Sequence, residues 1–192
     1  MHKRVCVYCS SSDILEDSYK EAAGKFAEAA SSLGYTVVCG GSSKGLMGVL
    51  IDRMIEKGGQ IEGVMPAFMK DLEFYHPTLK TIRYVDSLSE RKKLLREGAD
   101  AVVAMPGGLG TLEEFLETFT LKRLGLYSGL TVLLNINGYY RGLILLFEQY
   151  ENEGFLGKNW RDALKIANSV EDLMEIIKEC QPEKMTPAHY AP

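Results

Sequence analysis

The sequence predicts an α/β fold, with a doubly wound parallel sheet flanked by helices in a single domain. Short apolar runs alternate with amphipathic helical patterns along the chain, which is typical of a parallel sheet with helices on both faces. Most of the apolar runs are continuous rather than alternating, as in strands that are buried on both sides. The length of 192 residues fits one domain, or at most a domain with a small appendage.

Six apolar runs are predicted as strands, and a seventh run is a weaker candidate. The six cover residues 4–9, 35–39, 60–65, 81–85, 101–105 and 130–135, and the weaker one covers residues 164–167. The first helix between them has Tyr19, Ala23 and Phe26 on one apolar face and ends before Gly34, a residue typical of helix C-termini. The second has its apolar face within residues 46–54, and further helices are expected near 88–98, 111–125, 139–152 and 170–179.

Composition and charge exclude several classes of protein. Residues 1–180 are assigned to the folded domain, and residues 181–192, with three prolines, are expected to form a loose C-terminal tail. The formal net charge of −4 argues against a protein that binds nucleic acid through bulk charge. No apolar run approaches the about 18 residues of a membrane-spanning helix, and the N-terminus shows no secretory signal. We therefore expect no nucleic-acid partner and no membrane partner.

The four cysteines, at positions 6, 9, 39 and 180, do not indicate a disulfide framework in a chain of this size, which favours a cytoplasmic location. Cys6 and Cys9 have the spacing of a metal-binding or redox pair, but residues three apart on a strand face opposite sides of a sheet. Since no second close pair is present, both are predicted as buried core residues. The sequence predicts no metal site and no cofactor.

The strongest functional motif is the run Pro106-Gly107-Gly108-Leu109-Gly110-Thr111-Leu112-Glu113-Glu114, which follows a predicted strand and opens a helix. Its three glycines permit positive φ angles and a close approach of the backbone to a ligand. The N-terminus of the helix offers unpaired N–H groups to an anion, so a phosphate group is the expected ligand. The alternative is a tight turn between strand and helix that binds no ligand.

Glu114 has two interpretations from this motif alone. Thr111 and Glu114 have the spacing of a capping box, in which Thr111 caps the helix and the Glu114 carboxylate accepts from the cap N–H. The other interpretation is a catalytic carboxylate. Glu113 and Glu117, four residues apart, repel each other, so a phosphate bound nearby requires cations to balance these charges.

The cations are expected from the segment that follows Ser87. Ser87 and Glu90 form a second capping box, which predicts the start of a helix. Arg91 then falls on the apolar face of that helix and is expected to point toward the core or a cleft, where it needs a carboxylate or phosphate partner. Lys93 and Arg96 fit a solvated face of the same helix.

Residues 40–48 form a second glycine-rich cluster. It is not a Walker loop, because Leu46 stands where a lysine would follow Gly45, and it does not match the dinucleotide-binding pattern. It is expected either to form the second wall of a cleft or to be a flexible turn. His76 is the only histidine away from the termini, and no set of nucleophile, base and acid stands out.

Three segments together resemble the LOG ("Lonely guy") family. They are Cys39-Gly40-Gly41-Ser42 with Gly45-Leu46-Met47-Gly48, then Glu90-Arg91-Lys92, and the run that ends at Glu114, within a similarity over residues 5–177. The members are cytokinin riboside 5′-monophosphate phosphoribohydrolases, often labelled lysine decarboxylases. The resemblance implies a Rossmann-like homodimer that hydrolyses the N-glycosidic bond of a purine nucleoside 5′-monophosphate, freeing the base and ribose 5-phosphate.

The resemblance also implies roles for individual residues. Arg91 and Glu114 match the catalytic positions, and substrate contacts fall on Glu73, Lys92, Gly107, Gly108, Leu109, Gly110, Thr111, Leu112 and Glu113. In the implied mechanism the ionised Glu114 stabilises positive charge on the sugar and helps to activate water, while Arg91 lowers the pKa of that carboxyl. Departures from the family pattern at residues 88–89, 121 and 127–129 favour AMP over a prenylated nucleotide.

Two other functions stay open at this point. A non-catalytic carrier or sensor, comparable to the molybdenum-cofactor carrier proteins, would use a similar fold and similar loops to hold a phosphorylated ligand without cleaving it. An amino-acid decarboxylase has only the old family label in its favour. The retained pair of Arg91 and Glu114 favours hydrolysis over the carrier, and no lysine context for pyridoxal phosphate supports the decarboxylase.

Overall fold

The computed structural model describes residues 3–70, 74–179 and 185. Within them the chain forms a seven-stranded sheet in which every neighbouring pair is parallel. The predicted α/β fold with a doubly wound parallel sheet is therefore confirmed. Glu73 and all of the predicted tail except Met185 lie outside the described residues, so the predictions for them stay predictions.

All seven predicted strands are present, and each differs from its predicted range by one residue at one end. They are β1 (Arg4–Tyr8), β2 (Thr36–Cys39), β3 (Gln60–Pro66), β4 (Ile82–Val85), β5 (Ala101–Ala104), β6 (Leu130–Leu134) and β7 (Lys165–Ala167). Their order across the sheet is β4-β3-β2-β1-β5-β6-β7, so the direction of winding reverses between β1 and β5. Sheets of this kind bind ligands beyond the carboxyl ends of the strands at such a switch point.

The described residues also form eight helices and one 3₁₀ turn. They are α1 (Asp17–Ser32), α2 (Gly45–Glu56), α3 (Ala67–Lys70), α4 (Leu88–Arg96), α5 (Leu109–Arg123), α6 (Arg141–Asn152), α7 (Trp160–Ala163) and α8 (Val170–Glu179), with the turn at Ile136–Gly138. The six long helices were expected. The elements α3 and α7 and the 3₁₀ turn were not, because three or four residues are too few to show a helical period. None of the helices in the described residues combines the length and the apolarity needed to cross a membrane.

The core consists of two apolar layers, one on each face of the sheet. On one face α1, α2 and α8 contribute residues such as Phe26, Leu50 and Leu173. On the other face α4 to α7 contribute residues such as Phe115 and Trp160. The helices thus cover the two faces of the sheet and not the ends of its strands.

Cys6 and Cys9 lie in different layers, because neighbouring odd and even positions of β1 face opposite sides of the sheet. Both thiols and that of Cys39 are buried and free, as predicted for core cysteines. Burial raises the pKa of Cys39 to about 11 and raises the pKa of Cys6 and Cys9 as well. Among the described residues, no group of three or more potential ligand side chains is arranged to hold a metal ion.

Candidate functional site

A cleft of about 280 Å³ lies at the carboxyl ends of the central strands. Its lining contains the polar groups of Arg91, Gly110 and Glu114. It also contains the apolar side chains of Met65, Phe74, Met69 and Met47. The cleft therefore adjoins the switch point between β1 and β5 and offers both polar and apolar groups to one ligand.

The glycine-rich run forms the turn between β5 and α5. The helix begins at Leu109 and its N-cap is Gly108, which has no side chain with which to cap the first N–H groups. The N-terminus of α2 is different, because Gly45 N donates to the Asp13 carboxylate at 2.8 Å and Met47 N donates to Ser10 O at 3.3 Å. A carboxylate thus already bonds to the N-terminus of α2, whereas the N-terminus of α5 has no side-chain cap.

None of the three glycines of this run is required by a left-handed backbone, and one of them, Gly107, is required for space. The expectation of positive φ angles is wrong, since Gly107, Gly108 and Gly110 all lie outside the left-handed region. A Cβ built on Gly107 would overlap the side chain of Thr111, so only glycine fits there. Gly108 and Gly110 face open space, and a side chain at either position would occupy room beside the cleft.

The predicted capping box of Thr111 and Glu114 is wrong. Thr111 is the third residue of α5 and its side chain is buried against Gly107, while the N-cap lies three residues earlier. The helix starts early because nothing in the glycine run prevents helical dihedral angles. Glu114 is therefore not used for capping, and its carboxylate bonds to Arg91 instead.

The second capping box is confirmed for Ser87, which caps the start of α4, but Glu90 bonds to the N–H before the cap and not to the cap N–H itself. Ser87 Oγ accepts from Glu90 N at 3.1 Å, while the Glu90 carboxylate accepts from Asp86 N at 3.3 Å. This start places Arg91 in the first turn of α4, directed inward as predicted. Arg91 Nε donates to Val64 O at 3.0 Å, and Arg91 Nη1 donates to Glu114 Oε1 at 2.6 Å.

The pair of Arg91 and Glu114 is nearly buried, with 14% and 10% of the two side chains exposed. The expectation that Arg91 would lower the pKa of Glu114 overall is wrong. Burial, which disfavours the charged carboxylate, raises the pKa of Glu114 more than the charge of Arg91 lowers it. Glu114 is thus shifted toward the range in which a carboxylate acts as a general base near neutral pH.

Two further cations of α4 balance the remaining carboxylates of α5. Lys92 Nζ bonds to Glu113 and lies 2.5 Å from Glu117 Oε2, and Arg96 Nη1 donates to Glu117 Oε1 at 2.6 Å. The prediction that Arg96 lies on a solvated face is therefore wrong, since the facing helix supplies a partner. Lys92 cancels the repulsion between Glu113 and Glu117, and the three ion-paired positions hold α4 against α5.

The second glycine-rich cluster forms one wall of the cleft, as one of its two interpretations predicted. Gly40, Ser42 and Lys44 line the cleft beside Arg91. A Cβ built on Gly40 would overlap Arg91 Nη2, so glycine at this position gives the guanidinium its room.

His76 does not line the cleft and has a structural role. His76 Nε2 lies 3.1 Å from Asp52 Oδ1, and His76 Nδ1 lies 3.2 Å from Thr78 Oγ1. The backbone N–H of His76 donates to Gly41 O at 2.8 Å. These bonds attach the loop that contains Phe74 to the wall formed by residues 40–44. Phe74 and Met69 were not predicted as cleft residues. No motif marks them, and only the folding of α3 and of the loop after it brings them to the cleft.

Comparison with known proteins agrees with the motifs. A family model described as possible lysine decarboxylase matches residues 47–177. A probable cytokinin riboside 5′-monophosphate phosphoribohydrolase of Oryza sativa subsp. japonica is 35% identical over 180 residues, covering 94% of this chain and 85% of that protein. A cytokinin riboside 5′-monophosphate phosphoribohydrolase of Arabidopsis thaliana is 34% identical, covering 94% and 83%. The chain belongs to the LOG family.

Solved structures confirm the fold of this LOG-family member. The molybdenum cofactor carrier protein of Chlamydomonas reinhardtii has a TM-score of 0.72 at 18% identity, covering 93% of this chain and 98% of that one. The molybdenum cofactor binding protein of Rippkaea orientalis has a TM-score of 0.70 at 18% identity, covering 93% and 96%. At such identities the likeness shows the Rossmann-like fold and nothing of the ligand.

The positions that the LOG resemblance marks for substrate contact fall into three groups. Arg91, Glu114 and Gly110 line the cleft. Gly107 and Gly108 lie in the turn beside it, and Thr111 lies in the first turn of α5. Leu109 and Leu112 lie on the outer side of α5. Lys92 and Glu113 bond to each other next to the cleft rather than within it. The structure thus brings the two catalytic candidates together and leaves Lys92 in a pairing role.

Proposed function

We propose that this protein hydrolyses the N-glycosidic bond of a purine nucleoside 5′-monophosphate, producing the free base and ribose 5-phosphate. The observation that supports it most is the buried pair of Arg91 and Glu114, which opens onto a cleft beside a helix N-terminus without a side-chain cap. The names of the curated relatives agree with this class of reaction.

The polar and the apolar groups of the cleft fit the two ends of a mononucleotide. The 5′-phosphate would accept hydrogen bonds from the N–H groups of Gly107–Thr111 at the positive end of the α5 dipole. The base would lie among Met47, Met65, Met69 and Phe74, where methionine side chains adapt to a flat apolar ring. The sugar then lies between the two, next to Glu114.

The chemistry follows from the charge that develops on the sugar. As the bond between C1′ and the base nitrogen breaks, its electron pair leaves with the base and positive charge develops on the ribose ring. The Glu114 carboxylate stabilises that charge and accepts a proton from the attacking water, whose oxygen bonds to C1′. The departing base takes up a proton from solvent. Arg91 keeps the carboxylate in place by a bond of 2.6 Å and opposes the rise of its pKa.

AMP is the proposed substrate, because the sequence departs from the family pattern at residues 88–89, 121 and 127–129. The test is incubation of the purified protein with AMP and with a prenylated AMP, followed by chromatography for the free bases and ribose 5-phosphate. Release of adenine supports the proposal. Tight binding of AMP without release of adenine would contradict it and would favour a carrier of a phosphorylated ligand.

We also propose a homodimer located in the cytoplasm. α5 exposes an apolar surface beside the site, where Leu109 is 87% exposed and Leu112, Leu116 and Leu121 line a shallow groove. Such a surface fits contact with a second copy of the chain. The buried free thiols fit a reducing compartment. Light scattering after gel filtration tests the assembly, and a monomer at every concentration would contradict it.

A further inference from the structure

The connection between β6 and α6 lies at the ligand edge of the sheet, yet its side chains do not line the cleft. Instead, two of its tyrosines reach the glycine-rich turn. We propose that Tyr139 is a positioning residue, which holds the peptide groups of this turn in the orientation that binds an anion. The inference rests on the proposed function, because the anion is taken to be the phosphate of the nucleotide.

Three successive carbonyl groups of the turn are held by donors from two other segments of the chain, the connection between β6 and α6 and the segment that follows β1. Tyr140 OH donates to Met105 O at 2.6 Å, and Tyr139 OH donates to Gly107 O at 2.8 Å. Between them, Ser10 N donates to Pro106 O at 3.2 Å. All the carbonyls from Met105 to Gly107 are therefore fixed from outside the turn.

Fixing a carbonyl also fixes the N–H group of the next residue, because the two are antiparallel across a planar trans peptide. The bond from Ser10 thus directs the N–H of Gly107, and the bond from Tyr139 directs the N–H of Gly108. Glycine peptides have wide conformational freedom, and without these bonds they would sample orientations that point the N–H groups elsewhere. The tyrosine therefore prepares the anion site without touching the ligand.

The tyrosine hydroxyl is itself held in position. The ring of Tyr139 packs edge-on against Tyr19 and Tyr140, with centroids 5.7 and 5.0 Å away. Asn135 Oδ1 accepts from Tyr140 N at 2.8 Å, and Asn137 Nδ2 donates to Ser18 Oγ at 3.0 Å. The connection is thereby attached both to the residue that follows β6 and to the start of α1. These bonds hold Tyr139 in a fixed position.

Tyr139→Phe tests the proposal, since it removes the hydroxyl and keeps the ring contacts. Calorimetry measures the affinities for ribose 5-phosphate and for adenine, and steady-state kinetics with AMP gives KM and kcat separately. Losing this hydrogen bond should weaken the binding of ribose 5-phosphate by about 3- to 10-fold and raise KM by a similar factor. Adenine affinity should not change, the melting temperature should fall by about 2 to 4 °C at most, and kcat should change less than KM. The matched control is Tyr19→Phe, which takes a hydroxyl from the same ring cluster and leaves the bond to Gly107 intact.

The outcomes separate this inference from the function on which it rests. Wild-type protein that binds ribose 5-phosphate, with a Tyr139→Phe variant that binds it equally well, would overturn the positioning role alone. Equal weakening of ribose 5-phosphate and adenine would indicate a general structural effect and would also overturn it. Wild-type protein that neither binds ribose 5-phosphate nor cleaves AMP would overturn the proposed function, and the positioning role with it.

Discussion

Gly40→Ala is expected to disable the site by displacing Arg91. Gly40 does not have a positive φ angle, so its backbone accepts alanine. The added Cβ would overlap Arg91 Nη2 and would lie 3.0 Å from Met47 Sδ. Ordinary contact between such atoms requires about 3.5 Å, so the guanidinium must move away by about 1 Å. A bond of 2.6 Å between Arg91 and Glu114 does not survive that movement in its present geometry.

The expected loss of kcat is about 100-fold, the effect of displacing a catalytic arrangement by about 1 Å. A second effect has a defined sign. Because Arg91 lowers the pKa of Glu114 and burial raises it, a weaker contact with Arg91 raises that pKa further. The acidic limb of the pH profile should therefore move to higher pH in the variant. Both atoms displaced by the new methyl group belong to flexible side chains, so the variant should still fold.

The assay is release of adenine from AMP between pH 4 and pH 9. Gly142→Ala on α6 is the matched control, because a Cβ built there meets only open space and Gly142 lies away from the cleft. Its kcat and pH profile should equal those of the wild type. A Gly40→Ala variant with the turnover and pH profile of the wild type would show that the contact between Arg91 and Glu114 does not matter for the reaction.

Four further predictions concern the glutamates of α5. Glu114→Gln should lower kcat by about 100- to 10,000-fold while calorimetry shows retained binding of ribose 5-phosphate; normal turnover would remove Glu114 from the chemistry. Because burial raises the pKa of Glu114, kcat/KM should rise with pH through a midpoint above the ordinary 4.5, and a midpoint at or below that value would contradict the mechanism. The same raised pKa means that stability contributed by Glu114 is present below its unfolded pKa and is lost as the pH rises through its folded pKa. The unfolding free energy of Glu114→Gln, measured in urea, should therefore increase relative to that of the wild type as the pH rises from 4 to 8. Burial also raises the pKa of Glu117, but its bonds to Lys92 and Arg96 lower it more, so its contribution is present above the unfolded pKa and is lost as the pH falls through the folded one. Glu117→Gln should cost about 0.5 to 1 kcal/mol at pH 7 and less at pH 3, and an equal cost at both would contradict the ion pairing.

Sequence patterns predicted the elements of this fold well, because each element depends on residues that are neighbours in the chain. Continuous apolar runs located every strand, and the spacing of Ser87 and Glu90 located the start of α4. The same spacing at Thr111 and Glu114 gave a wrong prediction. The N-cap of α5 is Gly108, three residues before Thr111, and the spacing alone does not distinguish these two possible N-caps. A local pattern cannot decide between two possible helix starts when glycine permits both.

The tertiary structure decided which charges meet. From sequence Arg96 was assigned to a solvated face, and only the packing of α4 on α5 gives it Glu117 as a partner. The direction of the Glu114 pKa shift also depended on the fold, because burial outweighs the nearby arginine and burial is not readable from the motif. Phe74 reached the cleft through a loop that His76 and Gly41 attach to the opposite wall.

The chain by itself determined the succession of strands and helices, the family, and the candidates Arg91 and Glu114, because hydrophobic periodicity and short motifs are properties of contiguous residues. Folding decided that these two side chains, 23 positions apart, meet at 2.6 Å and are nearly buried. It also decided that tyrosines far along the chain hold the glycine-rich turn. Such contacts depend on the crossing of helices and strands distant in sequence, and no local pattern encodes that geometry.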